Sequence, residues 1–124
     1  MLVLVSLIVC HYLADFCLTW PGLIRAKADG KNFWPIALHA TVHTLLMGIC
    51  LYVYGIEWQL LCMMMILELT SHFIIDTAKA CLTVRFPYLA DVRCKPYWML
   101  YGFDQLLHLF VVIIIWYCCL FNGL

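Results

Sequence analysis

Charge is what this sequence has least of. Of its 124 residues 11% are Asp, Glu, Lys or Arg, where an average soluble domain has about 25%. The seven Lys/Arg are balanced by seven Asp/Glu, and the basic residues are scattered. A clustered basic face is therefore missing, which excludes a nucleic-acid footprint. There is no polar stretch long enough for a separate soluble head, no flexible linker and no internal repeat, so residues 1–124 read as one domain. The first apolar run has no basic n-region and continues past His11 and Asp15, which argues against a cleaved signal peptide. No C-x-x-C pair occurs among the eight cysteines, so a thiolate metal site is not expected. Most of them read as small apolar residues in the spans, and Met63-Met64-Met65 as apolar filling.

What is abundant is hydrocarbon. Hydrophobic residues make up 67% of the chain, and the mean hydropathy is +1.00. Crossing about 30 Å of hydrocarbon takes roughly 20 apolar residues. Four stretches qualify: 1–20, 35–55, 57–82 and 98–121. Trp20-Pro21-Gly22 is expected to end the first, and a very short turn near Gly55 joins the second and third as an antiparallel hairpin. The expected fold is all-α, an integral membrane four-helix bundle.

The basic residues set an orientation. Arg25, Lys27 and Lys31 lie between spans one and two, and Lys79, Arg85, Arg93 and Lys95 lie at the end of span three or just beyond it. The Gly55 turn and both ends carry none. The positive-inside rule then puts both long connections in the cytoplasm and both termini on the non-cytoplasmic side. Trp20, Phe33, Trp34, Tyr97 and Trp98 fall at the inner interface, and Tyr52, Tyr54, Trp58, Trp116 and Tyr117 at the outer one. Segment 84–97, with its charges, prolines and aromatics, is expected along the cytoplasmic interface.

Against this background the polar residues inside the spans stand out: His11, Asp15, His39, His43, Glu68, His72, Asp76, Asp104 and His108. A charge near the bilayer centre costs about 2.5–3.5 kcal/mol on insertion scales. Asp29, Glu57 and Asp91 sit in connections or at a span end and need no such explanation. Every histidine has a His, Asp or Glu partner four residues away: His11/Asp15, His39/His43, Glu68/His72/Asp76 and Asp104/His108. Residues four apart share a helix face, and chance would give a histidine such a partner roughly one time in five. Each helix thus carries one polar stripe. Because helix direction alternates, the four stripes also fall at one depth, on the cytoplasmic side.

Imidazoles and carboxylates facing each other in a bundle core can build one or two metal centres, and this donor set suits divalent Zn, Mn or Fe. His72, flanked by Glu68 and Asp76, is the leading ligand, followed by Asp76, Asp104, His108, His39 and His43. His11 and Asp15 are either ligands or a His–carboxylate pair that fixes an imidazole tautomer. Glu68, the deepest, is a bridging ligand or a general base. Lys79 at the rim is a candidate contact for an anionic substrate, with snorkelling to the interface as the plainer reading. Gln105 either hydrogen-bonds within the site or meets a neighbouring helix. The alternative for the whole set is a hydrogen-bonded network that only ties the helices together.

The spaced motifs His11-Tyr-Leu-Ala-Asp15-Phe16, His39-x-x-x-His43, Glu68-x-x-x-His72-x-x-x-Asp76-x-x-Lys79 and Asp104-Gln105-x-x-His108 resemble those of a family of short bacterial and phage membrane proteins known as a domain of unknown function, number 3307. The likeness covers nearly the whole chain, with Thr19 standing where the family usually has Gln. A looser similarity, to bacterial inner-membrane proteins described as metal-dependent hydrolases, implies a reaction type and a bacterial inner-membrane location but no residue assignments.

The function expected from these residues is a membrane-embedded metal-dependent hydrolase. A divalent ion would polarise the scissile bond and activate water, with Glu68 as base. A site opening on the cytoplasmic leaflet suits a lipid or lipid-linked substrate, most simply a phosphate or pyrophosphate ester, with Arg25, Lys27 and Lys79 as phosphate contacts; a peptide bond is the second substrate class. The rivals are an ion or proton conductor, a metal transporter, a haem-binding bundle, and a phage membrane interaction protein with a structural polar core. A conductor would need polar residues across the other half of the bundle, and segments 1–9, 45–56 and 109–121 offer almost none beyond Ser6 and Tyr side chains. Self-association into a homo-oligomer is common for short four-span chains, and no stripe of small residues specifies it here.

Overall fold

The computed structural model of the chain describes residues 1–19, 21–22 and 33–122. They are helical, with no strand among them. Helix α1 (Leu2–Tyr12) runs on into a π-helical turn (Leu13–Cys17), and α2 (Trp34–Val53), α3 (Trp58–Arg85) and α4 (Lys95–Asn122) follow. Each helix packs on its sequence neighbours, and α1 also packs on α4, which closes the ring of a four-helix bundle. Helices α2, α3 and α4 are long and apolar enough to cross a membrane; the stretch Leu2–Cys17 is apolar but shorter.

The boundaries have local causes. Pro35 occupies the first turn of α2, where its missing N–H costs nothing. Gly55 adopts φ +77° in the turn after α2, a conformation that glycine takes without steric cost. Between α3 and α4 the chain makes a short 3₁₀ turn (Pro87–Ala90). Arg93 then donates through Nε and Nη2 to the two Asp91 oxygens at 2.9 and 2.8 Å. The exposed Arg93 guanidinium thereby holds the Asp91 carboxyl below its usual range. The first helix ends three residues earlier than Trp20-Pro21-Gly22 suggested: the Thr19 hydroxyl donates to the carbonyls of Ala14 and Asp15, at 3.0 and 2.7 Å. That hydroxyl closes the helix before the proline is reached. Trp20 itself lies outside the described residues.

The bundle has two halves. In one, Val3, Leu7, Met47, Leu51, Leu61, Met64, Val112 and Ile115 form a continuous apolar core. Here Gly48 lets α2 and α3 approach closely, because a Cβ at that position would meet the Met65 sulfur at 2.9 Å. The Ser6 and Tyr54 hydroxyls, 2.9 Å apart, join the start of α1 to the end of α2. In the other half the interior is polar: His39, His43, Glu68, His72, Asp76, Asp104 and His108 are all buried. The exterior is the reverse, with large apolar side chains such as Val5, Ile49, Ile66, Ile74, Phe103 and Ile114 exposed on all four helices. None of the eight cysteines forms a disulfide.

Candidate metal centre

Four helices aim the polar residues at one another. The five imidazoles form one connected cluster with His72 at its middle. Its ring centroid lies 3.9 Å from that of His43, 4.1 Å from His108, 5.3 Å from His39 and 5.8 Å from His11. The i+4 stripes therefore do face inward at a common level, and His72 is 1% exposed.

Asp15 organises the α1–α2 side. Its Oδ1 lies 3.1 Å from His39 Nε2 and 3.2 Å from His43 Nε2, and its Oδ2 accepts a 2.8 Å bond from Gln105 Nε2. His11 Nε2 is 3.4 Å from that same Oδ2, without hydrogen-bond alignment. The π-helical turn carries Asp15, a backbone device that often occurs at functional sites because the wider turn re-aims the side chains it bears. Gln105 thus takes the first of its two expected roles, bonding within the site.

The α3–α4 side has a different character. His72 Nδ1 lies 3.3 Å from Glu68 Oε1. Its Nε2 is 3.7 Å from Asp76 Oδ2, and His108 Nε2 is 3.7 Å from Asp76 Oδ1. Those last two separations are too long for hydrogen bonds. Two donors about 2.0–2.1 Å from a shared zinc lie roughly 3.3–3.4 Å apart at tetrahedral angles, and about 3.7 Å apart when the angle opens to about 125–135°. Three groups have donor atoms within 4.8 Å of one another: His11, His43, Glu68 and His72; Asp15, His39, His43 and His72; and His72, Asp76 and His108. His72 belongs to all three. Its Nε2, both ring nitrogens of His11 and Asp104 Oδ1 are buried without a hydrogen-bond partner among the described residues. Neutral imidazole nitrogens and carboxylate oxygens are the donors that Zn²⁺, Mn²⁺ and Fe²⁺ accept, so the residues fit such an ion.

Two expected ligands and contacts stand differently from the rest. Asp104 is buried at the same level, yet it lies outside all three groups. Its Oδ2 accepts a 2.6 Å bond from Lys79 Nζ, and its Oδ1 stays 3.7 Å from His108 Nε2. Lys79, expected at the rim for a substrate, is thus committed to Asp104 and sits 5.0 Å over the Tyr101 ring, although 29% of its side chain remains exposed. Arg25 and Lys27 lie outside the described residues.

Glu68 is the deepest member, where the polar half meets the apolar one. It lines a void of about 10 Å³ together with His11, His43, Leu7, Met47 and Ile115, about the space that one water needs. The site thus places a buried carboxylate beside a water-sized space, next to a set of buried imidazole and carboxylate donors.

Residues 3–124 match the family described as a protein of unknown function, DUF3307, and the chain belongs to that family. No curated protein and no solved structure matches it.

Proposed function

We propose that this member of the DUF3307 family is an integral protein of the bacterial inner membrane, with both termini on the non-cytoplasmic side. Its cage of histidines and carboxylates holds one or two divalent ions and hydrolyses a lipid-linked phosphate or pyrophosphate ester. Membrane insertion is supported by the inverted distribution of polarity, since an apolar coat over a polar interior suits hydrocarbon and not water. The single observation that carries the metal reading is the His72–Asp76–His108 trio. The two separations of 3.7 Å about the Asp76 carboxylate exceed hydrogen-bond length and support a cation shared between His72, Asp76 and His108.

In this reading His72, Asp76 and His108 form one donor set, with His11, His39, His43 and Asp15 completing the cage or orienting it. A divalent ion held there would supply Lewis-acid polarisation of a phosphoryl oxygen. Glu68 would receive the proton of the attacking water; the new O–P bond forms as the bond from phosphorus to the lipid-side oxygen breaks, and Glu68 would then return that proton to the leaving oxygen. Burial of Glu68 beside apolar Leu7 and Met47 keeps competing water away. Lys79 is the basic group among the described residues of the site; 29% exposed and paired with Asp104, it would have to exchange that carboxylate for a phosphate.

An ion or proton conductor built from the same residues is disfavoured by the apolar half. Leu7, Met47, Leu61, Met64 and Ile115 pack there without a polar relay among them. The deciding experiment is elemental analysis of detergent-purified protein beside a His72→Ala/Asp76→Ala variant. One or two equivalents of metal in the parent and none in the variant are expected, followed by metal-dependent phosphate release from polyprenyl phosphates. Absence of metal after reconstitution with Zn²⁺, Mn²⁺ and Fe²⁺ overturns the reading, and proton flux in liposomes then becomes the discriminating assay.

A further inference from the structure

The histidine cage is wider than one ion can use. Ligands about 2.0–2.1 Å from a single zinc are at most about 4.2 Å apart, even on opposite sides of it. Of the donor groups whose atoms lie within 4.8 Å of one another, one holds Asp15, His39 and His43 and another holds Asp76 and His108, and His72 is the single residue those two share. No such group among the described residues joins Asp15, His39 or His43 to Asp76 or His108. We propose that the cage is a two-ion centre. The first position is the His72–Asp76–His108 trio, and the second is built by Asp15, His39 and His43. The ion of the trio rests on the metal reading above. The second position goes beyond that reading, because it gives the α1–α2 side a divalent cation of its own.

Three observations carry the second position. His39 and His43 bring Nε2 to a single oxygen, Asp15 Oδ1, at 3.1 and 3.2 Å. Those separations are close to the roughly 3.3–3.4 Å between ligands of a tetrahedral zinc. An ion among the three atoms asks only for small shifts, with the protons of the neutral imidazoles on Nδ1. Asp15 is also held as ligating carboxylates are held. Gln105 Nε2 donates to its Oδ2 at 2.8 Å and leaves Oδ1 turned to the histidines; outer hydrogen bonds of this kind orient metal ligands. Finally, His11 stands against the set with unused capacity. Its ring centroid is 4.8 Å from that of His43, its Nε2 is 3.4 Å from Asp15 Oδ2, and both its nitrogens are buried without a hydrogen-bond partner among the described residues. Buried polar atoms are nearly always paired in a native interior, so these two point to a partner that is not a side chain.

His72 Nε2 faces Asp76 and serves the first ion. The second then has three chain ligands, the number that leaves a coordination position open in catalytic zinc sites. The His72 ring, 3.9 Å from His43 and 4.1 Å from His108 between centroids, stands between the two positions and makes them neighbours. Two neighbouring divalent ions can hold the attacking and the leaving oxygen of a phosphoryl ester together, which suits the phosphate or pyrophosphate ester proposed above.

The test loads the metal-free full chain in detergent with Zn²⁺ or Mn²⁺ and removes loose metal by gel filtration. Bound equivalents are read by elemental analysis, and the Mn²⁺ form by electron paramagnetic resonance. Two conservative variants address the positions one at a time. Asp76→Asn/His108→Gln removes the first, and His39→Gln/His43→Gln, whose amides can still donate to Asp15, removes the second. The parent should bind two equivalents and show a spin-coupled Mn²⁺ pair. Each variant should keep one equivalent, with the spectrum of an isolated ion. A single equivalent in the parent overturns the two-ion centre, and its loss in Asp76→Asn/His108→Gln would leave the metal reading of the trio standing. Two equivalents with only isolated-ion spectra in the parent overturn it as well, because the ions are then not neighbours in the cage. A parent that binds no metal removes the second position together with the metal reading. The parent spectrum decides even where a variant does not fold.

Discussion

His72 Nε2 and Asp76 Oδ2 lie one helical turn apart on α3 and 3.7 Å from each other. They are aligned by the helix and yet not hydrogen-bonded. His108 approaches the other oxygen of the same carboxylate at the same distance from α4. A cation between them would take advantage of both oxygens.

Replacing that carboxylate by an amide separates a metal site from a structural network. Asp76→Asn keeps size and hydrogen-bonding capacity but removes the anionic ligand. It should lower the affinity for Zn²⁺ by at least about tenfold, a cost of about 1.4 kcal/mol or more, while the helical signal in circular dichroism stays at the parent level. Unchanged metal retention in competition with a chelator would exclude Asp76 as a ligand.

Asp15 carries a different burden. Its carboxylate receives His39, His43 and Gln105 from two other helices, so Asp15→Ala leaves three donors without their acceptor. A buried group deprived of its partner costs about 1–3 kcal/mol. Thermal unfolding in detergent should therefore show a loss of at least about 2 kcal/mol, larger than for Gln105→Ala, which removes a single donor. Equal losses for the two variants would show that the histidines do not depend on Asp15.

Lys79 and Asp104 should behave as a coupled pair. Lys79→Met strands a buried carboxylate and is expected to destabilise the bundle by about 1–3 kcal/mol, a range held down by the partial exposure of the lysine. Lys79→Met/Asp104→Leu should recover most of that loss, because the stranded charge is gone. The double-mutant cycle gives the coupling directly, and additive effects would mean that the 2.6 Å bond contributes nothing to stability.

The apolar half offers a packing test. A methyl group at Gly48 presses on the far end of the flexible Met65 side chain, so Gly48→Ala should cost less than about 1 kcal/mol. Gly48→Leu cannot be absorbed in that way and should cost about 1–3 kcal/mol. Midpoints of thermal unfolding for the two variants, ranked as stated, check the close approach of α2 and α3.

Much of this molecule is legible in its sequence because helix periodicity acts locally. The four pairs and triplets at spacing four predict inward stripes, and the ring cluster centred on His72 realises them. Helix ends come within a few residues where proline or glycine sets them, as at Pro35 and Gly55. What escapes a linear reading is the choice of partner across helices. Nothing in residues 104–108 says that Asp104 turns to Lys79 rather than joining a donor set, since that depends on the rotation of α4 about its axis. The π-helical turn at Leu13–Cys17 is equally hidden; its only local sign is the Thr19 hydroxyl taking two carbonyls.

The division of the bundle into an apolar and a polar half has an electrical side. In a bilayer, a voltage difference falls mainly across the part that holds neither water nor mobile charge, and here that is the layer of Leu7, Met47, Met64 and Ile115. On the proposed membrane reading, the histidine cage lies to one side of that layer and would sit near the potential of the compartment on its own side. An ion reaching it does little work against the field, compared with about 2.3 kcal/mol per charge for a full crossing at 100 mV. Energising the membrane should therefore leave the occupancy of the cage nearly constant, so that it tracks the metal level of one compartment alone.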